Sequence, residues 1–474
     1  MSARLPSLVC AGCGWVAAED DPYPFRCPNS GTDDTDHVVV RQLDPAEVSW
    51  PEGIEPNPFV RYRDLFRSHG LALSRGMTDT DYVQLVERLD KEIAAVDGRG
   101  FVETPFGPSD ALGKRLGFGR AGGVWVKNET GNVSGSHKAR HLMGLLVHLR
   151  VLEETGLAEA DGGVPDLAIA SCGNAALAAA VVARAGGRRL RVFVPTTADS
   201  VVVERLEALG SLIEVCPRQP GTPGDPTYHA LKRALAGGAL SFTCQGNENG
   251  LAIEGGETLA YEMVTQLGRA GASLDRVFVQ VGGGALASAV IQGFREALVL
   301  GAIDRLPRIQ TVQTSGGYPL KRAYDLVAER VLSRIEQDLG ERPDLPEDDR
   351  DRADFIRERA DTATVQEELA YAARHRSEYM WPWEEEPVSV AHGILDDETY
   401  DWLAVVRGMV ATGGYPVVVD EETLRRANEL GSVATRIDVD HTGTAGLAGL
   451  TELLERGDVG RDERVAVLFT GARR

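Results

Sequence analysis

Val279-Gln280-Val281-Gly282-Gly283-Gly284-Ala285-Leu286-Ala287-Ser288 sets three glycines between a β-branched run and an alanine-rich segment. The run from Arg276 to Val281 reads as a strand, and the glycines let the chain turn sharply into a following helix. Such a turn gathers backbone N–H groups at the positive end of a helix, which suits a phosphate. The triplet lacks the spacing of a dinucleotide fingerprint and the lysine of a nucleoside-triphosphate loop. Glycines also serve plain tight turns, so the flanking elements have to decide.

The same texture recurs on both sides. Val124-Trp125-Val126, Leu167-Ala168-Ile169-Ala170 and Leu190-Arg191-Val192-Phe193-Val194 each precede an Ala/Leu-rich stretch, and strand texture returns at Pro416-Val417-Val418-Val419 and from Arg464 to Phe469. This alternation predicts βαβ units around mostly parallel, buried sheets, an α/β fold whose ligands bind outside the carboxyl ends of the strands. Ahead of it lie a proline-rich connector, Pro45 to Pro58, and a charged helical stretch from Arg61 to Ile93. Between Lys321 and Glu386 the pattern breaks into a charged segment, expected as a helical insertion on the surface with an exposed loop from Pro343 to Asp349.

With 474 residues, 43% of them apolar, the chain can bury a large core and divide into two or more domains. A formal net charge of -21 argues against a nucleic-acid partner. Met1-Ser2-Ala3-Arg4-Leu5 lacks the apolar core of a secretory signal and no apolar run spans a bilayer, so a cytoplasmic protein without a membrane partner is expected. Of six cysteines, Cys10, Cys13 and Cys27 crowd the first thirty positions and fit half a zinc ribbon. Ser30 stands where a fourth thiolate is expected, and His37 is the candidate replacement. A ribbon that has lost its metal and survives as a packed knuckle remains the alternative.

Two other turns carry chemistry. Lys138, in Asn132-Val133-Ser134-Gly135-Ser136-His137-Lys138-Ala139-Arg140, opens a long apolar helix where its charge opposes the helix dipole, a position that favours a neighbouring anion. Ser171-Cys172-Gly173-Asn174-Ala175 is a strand-to-helix turn with donors for a carboxylate or phenolate oxygen, although an ordinary N-cap reads the same way.

Lysine turn, asparagine loop, glycine loop and a last threonine after the final strand, Phe469-Thr470-Gly471, follow one another in an order that resembles the fold-type-II pyridoxal-phosphate enzymes, most closely the threonine synthase-like branch. The likeness covers roughly residues 100 to 320 and 388 to 474. Glu103-Thr104-Pro105-Phe106, the stretch from Ile253 to Glu262, Ala391-His392-Gly393-Ile394 and Thr444-Ala445-Gly446-Leu447-Ala448-Gly449 add to it.

The resemblance implies two parallel-sheet α/β domains behind a zinc-ribbon-like knuckle. Residues 1–42 form the knuckle, 43–100 a connector and helical segment, 101–135 with 246–474 a larger cofactor-binding domain, and 136–245 a smaller mobile one. It implies pyridoxal 5'-phosphate as cofactor, held as an imine on Lys138, with His137 beside its phosphate, Gly282, Gly283, Gly284 and Ala285 as the phosphate cradle, Asn174 against the ring hydroxyl and Thr470 at the ring nitrogen. Ser171, Cys172, Gly173 and Ala175 would hold the amino-acid substrate, Cys10, Cys13, Cys27 and His37 one structural zinc, and the chain would form a homodimer.

The implied chemistry is that of a lyase: exchange of Lys138 for the substrate amine, α-proton abstraction by the freed lysine, and elimination from a hydroxy- or O-activated amino acid. A hydroxyl at the ring nitrogen makes a weaker electron sink than a carboxylate partner, which favours elimination. β-Replacement synthesis and serine- or threonine-type ammonia release stay open, as does a retired regulatory module. His137 stands where threonine synthases have Phe, and Cys172 and Ala175 replace a small hydroxyl residue and a threonine. The last two departures touch the substrate side of the implied site.

Overall fold

A computed structural model describes residues 5–158, 164–218, 224–339 and 348–473. At the front, β1 (Ser7–Cys10) and β2 (Val39–Gln42) pair as an antiparallel hairpin. The strands that follow are β3 (Phe106–Pro108), β4 (Gly123–Asn128), β5 (Leu167–Ala170), β6 (Leu190–Pro195), β7 (Leu212–Cys216), β8 (Leu240–Ser241), β9 (Arg276–Gln280), β10 (Arg308–Thr314), β11 (Pro416–Val419) and β12 (Arg464–Phe469). They build a six-stranded sheet in the order β11-β10-β9-β12-β4-β3 and a four-stranded sheet in the order β7-β6-β5-β8. Every pairing in these two sheets is parallel except that of β3, which closes one edge antiparallel to β4. The α/β class therefore stands, with the inner strands β4, β5, β6, β9, β10 and β12 largely buried and the edge strand β7 mostly exposed.

The final strand lies in the middle of the larger sheet. β12 pairs with β4 on one side and β9 on the other, so the residues after Phe469, after Asn128 and after Gln280 emerge together at the carboxyl edge. That is where a parallel sheet places its ligand.

The helix Lys138–Glu154 crosses the helix Ala252–Ala270 at two glycines, and a Cβ on Gly144 would lie 2.9 Å from Gly255 Cα. The close approach brings charged groups of both helices into one enclosed network. Arg140 Nε donates to Glu129 Oε2 at 2.8 Å, Nη1 to Glu262 Oε1 at 2.9 Å and to Thr258 Oγ1 at 3.0 Å, and Nη2 to Thr104 Oγ1 at 3.0 Å. Lys127 Nζ donates to the Thr104 carbonyl at 2.9 Å and pairs with Glu262.

The segment expected as a surface insertion is helical, but it does not sit on the surface. The helices Pro319–Leu339 and Ala363–Arg374 send Val327, Val331, Val365 and Leu369 into the main core, because apolar residues three and four apart form a stripe under the charged face. Of the expected loop, Pro343 to Glu347 lie outside the described residues, while Asp348 caps the helix Asp349–Arg357.

Burial alone would raise the Glu129 carboxyl, but the adjoining Arg140 and Lys127 outweigh it and hold the group at about 2. Its contribution to stability is present above the ordinary value of 4.5 and is lost as pH falls through about 2. Glu262→Gln, which leaves Arg140 and Lys127 under-compensated in an enclosed site, is expected to cost roughly 3–5 kcal/mol, read as a lower urea midpoint at neutral pH.

Candidate active site

Lys138 is the first residue of its helix, and the turn before it is held by the end of β12. Ser136 forms an antiparallel bridge with Gly471, the His137 N–H donates to the Thr470 carbonyl at 3.1 Å, and the Ala472 N–H donates to the Gly135 carbonyl at 2.8 Å. Ser134 within this turn takes φ +55, a left-handed conformation uncommon outside glycine, and its N–H is tied to Asp97 Oδ2 at 2.9 Å.

Thr470 is 2% exposed, and its hydroxyl accepts a 2.7 Å hydrogen bond from Gln280 Nε2. Gln280 ends β9 two residues before Gly282, so one amide joins the threonine to the base of the glycine loop. Asn174 opens the helix Asn174–Ala185, and a Cβ on Gly471 would lie 2.8 Å from its Nδ2. The lysine turn, the asparagine loop, the threonine and the glycine-loop strand thus converge. Ser171 is anchored through its N–H to the Phe193 carbonyl at 3.2 Å, and Cys172, Gly173 and Ala175 are half-buried beside it.

The glycines are required by what covers them. Gly284 has φ +99, and a Cβ on Gly283 would stand 2.9 Å from the Tyr400 ring. A Cβ on Gly282 would run into Asp396 Oδ2 and Ile394. Thr399 Oγ1 donates to the Gly282 carbonyl and the Asp401 N–H to the Gly283 carbonyl, each at 2.9 Å, while Ala285 is buried at the start of the next helix. Sequence reasoning did not single out Asp396, Tyr400 or Asp401. Their acidic run looks like a solvated surface, and its only signal was adjacency to Ala391-His392-Gly393-Ile394.

Electrostatics distinguish the charged groups. Burial, then the charge of Lys138, drives His141 to about 3 and His137 well below its usual value, so both rings are neutral. Burial raises Asp396 to about 6 against the pull of Lys138 and the Gly283 N–H, and raises Asp401 to about 7.

Two enclosed polar atoms beside Lys138, Ser136 Oγ and His137 Nε2, have no hydrogen-bond partner. With the Thr470 hydroxyl, the Asn174 amide and a loop too tight for side chains, they fit a flat, phosphate-bearing aromatic cofactor joined to the lysine. Residues 99–378 match the family model described as pyridoxal-phosphate dependent enzyme. The chain belongs to this family. Its cofactor is pyridoxal 5'-phosphate, and the match runs through most of the charged helical segment.

Threonine synthase of Methanocaldococcus jannaschii is 26% identical over 373 residues, covering 78% of this chain and 74% of that one. The mouse L-serine dehydratase/L-threonine deaminase is 29% identical over 195 residues, covering 41% and 53%. Among solved structures, the T.th. threonine deaminase has a TM-score of 0.54 at 18% identity, covering 83% of this chain and 98% of that one, and shares the fold.

At the front of the chain, one ligand atom from each of Cys10, Cys13, Cys27 and His37 lies within 4.8 Å of the others. Cys10 Sγ is 3.4 Å from His37 Nδ1, and His37 Nε2 is 2.9 Å from Asp33 Oδ1. No helix among the described residues is long and apolar enough to cross a membrane.

Asp401 is 1% exposed and has a raised folded-state value, so its contribution to stability is full below the ordinary 3.8 and is lost as pH rises through about 7. Asp401→Asn avoids ionising there. In cofactor-free protein the variant is expected to gain stability over wild type between pH 5 and pH 8, by about 2–4 kcal/mol, measured as the difference in thermal midpoints at the two pH values.

Proposed function

We propose that the protein is a pyridoxal-phosphate lyase that eliminates the β-substituent of a small amino acid, with Lys138 carrying the cofactor. The observation that supports this most is the joining of the Lys138 turn, Thr470 and the glycine loop through Ser136, Gly471 and Gln280.

The bound cofactor supplies an electron sink that makes the α-hydrogen of an attached amino acid acidic. With the cofactor bound, Lys138 would be the base that takes that proton, and its position at a helix start held by β12 would keep the amine at the site. The Thr470 oxygen already accepts from Gln280, so its own proton is left to donate to the ring nitrogen. A hydroxyl there would not keep that nitrogen protonated as a carboxylate would, which favours elimination. Asn174 would meet the ring hydroxyl, Gly282 to Ala285 with His137 would hold the phosphate, and Ser171 to Ala175 would offer the start of a helix to the substrate carboxylate. The mouse dehydratase and the archaeal threonine synthase both support elimination chemistry, and the longer match to the synthase keeps a step of water addition as the second reading.

Reconstituted protein is expected to absorb above roughly 400 nm, and borohydride should attach the cofactor to the peptide containing Lys138. Keto acid and ammonia from serine or threonine would select the ammonia-lyase, and threonine from O-phosphohomoserine the synthase. Thr470→Asp should slow elimination and raise α-proton exchange, whereas Thr470→Ser is mild. If no amino acid perturbs the cofactor spectrum, the protein is instead a cofactor-binding regulatory module.

The same reading gives the front knuckle one structural zinc on Cys10, Cys13, Cys27 and His37, with Asp33 orienting the imidazole. Metal analysis should find about one zinc per chain in protein prepared without chelator, and Cys27→Ser should lose it. Zinc-free protein with the knuckle intact would leave a packed fold without metal.

A further inference from the structure

One side chain ties the strand of the glycine loop to Thr470, and its orientation is fixed. Gln280, the last residue of β9, is 3% exposed. Its Nε2 donates to the carbonyl oxygens of Leu468 at 3.1 Å and Gly443 at 3.2 Å, and to the Thr470 hydroxyl oxygen at 2.7 Å. A carbonyl oxygen only accepts, so the end of the amide that faces these three groups is the NH2. Turned over, the amide would set its own oxygen against two carbonyl oxygens.

The other end of the amide carries the cost of this arrangement. Gln280 Oε1 is enclosed and has no hydrogen-bond partner, which is destabilising. It lies against Gly446 of the helix His441–Arg456, where a Cβ would stand 3.1 Å from it and 3.0 Å from the Phe278 carbonyl oxygen. The backbone pairing of β12 with β9 runs only as far as Val467 and Phe278, so beyond it the amide is what holds Thr470 to β9. Thr470 is thereby held at both ends, since its carbonyl accepts from the His137 N–H at 3.1 Å. A hydroxyl has one proton, and a donor placed on its oxygen leaves that proton to point away from Gln280.

We propose that Gln280 is a positioning residue for the ring nitrogen of the cofactor: by donating to Thr470 it makes the threonine present its proton rather than a lone pair, so that the nitrogen stays unprotonated. This rests on reading Thr470 as the nitrogen's partner and Lys138 as the attachment point. Without the amide, the hydroxyl turns freely and serves either state of the ring. A carboxylate at position 280 reverses the polarity, because it accepts the Thr470 proton and turns a lone pair toward the ring, which favours a protonated nitrogen. The weak electron sink on which elimination depends is then set by a side chain that acts through Thr470.

The test adds pyridoxal 5'-phosphate, or its analogue with CH in place of the ring nitrogen, to cofactor-free protein. Gln280→Met, similar in size but without a donor, should weaken binding of the natural cofactor roughly three- to tenfold and of the analogue by less than about twofold. Equal weakening of both makes Gln280 a structural tie and overturns the inference. A second measurement uses holoenzyme whose cofactor is isotope-labelled at the ring nitrogen. At neutral pH the wild-type resonance should lie at the position of an unprotonated pyridine, and Gln280→Glu should move it toward the pyridinium position. A pyridinium resonance in the wild type, or one that Gln280→Glu leaves unmoved, overturns the inference and leaves the lyase standing. Failure of the wild type to bind either cofactor, or attachment to a lysine other than Lys138, removes the reading of the site and the inference together.

Discussion

The enclosed guanidinium of Arg140 is the constraint on which the site depends. It lies two residues beyond Lys138 on the same helical turn, and it reaches Glu129 after β4, Glu262 on the helix Ala252–Ala270 and Thr104 in the segment that leads to β3. Two cations, Arg140 and Lys127, face two carboxylates, so the charge is balanced within a region that excludes water. Buried charges are tolerated only with such partners and hydrogen bonds, and the geometry that satisfies them also sets where Lys138 can stand.

The same long helix organises the front of the chain. Glu254 and Glu257 meet Arg41, which arrives from β2 of the cysteine hairpin and also reaches Glu296 and Tyr261. The hairpin region is therefore part of the body of the enzyme. Asp36, next to His37, accepts from Trp402 Nε1 at 3.3 Å, directly after the Tyr400-Asp401 cover of the glycine loop. A contact chain runs from the cysteine cluster to the segment that covers the glycine loop.

Legibility in the sequence was uneven for physical reasons. A strand buried on both faces and a glycine turn leave local signatures, which is why β9, β11 and β12 could be placed almost to the residue. Lys138, Asn174, Gly282 to Gly284 and Thr470 stood out because each follows or opens such an element. The covering residues had no comparable mark. Asp396 to Asp401 belong to an acidic stretch that reads as solvated, and only the approach of Gly282 and Gly283 shows that it is enclosed. The charged segment after Lys321 misled for the related reason that its apolar stripe is thin beside its charges, yet that stripe joins the main core.

By itself the sequence determined the class of fold and the lysine turn, because local periodicity and glycine turns dictate strands, helices and the shapes between them, while the cofactor family came from the resemblance of its motif order to a known family. Only the tertiary structure decided what covers the glycine loop and joins it to the lysine turn. Pairing β12 between β4 and β9 delivers Thr470 to Gln280 and Gly471 to Ser136. The approach of Asp396 to Gly282 and of Tyr400 to Tyr228 joins residues far apart in the chain, whose contact no local pattern encodes.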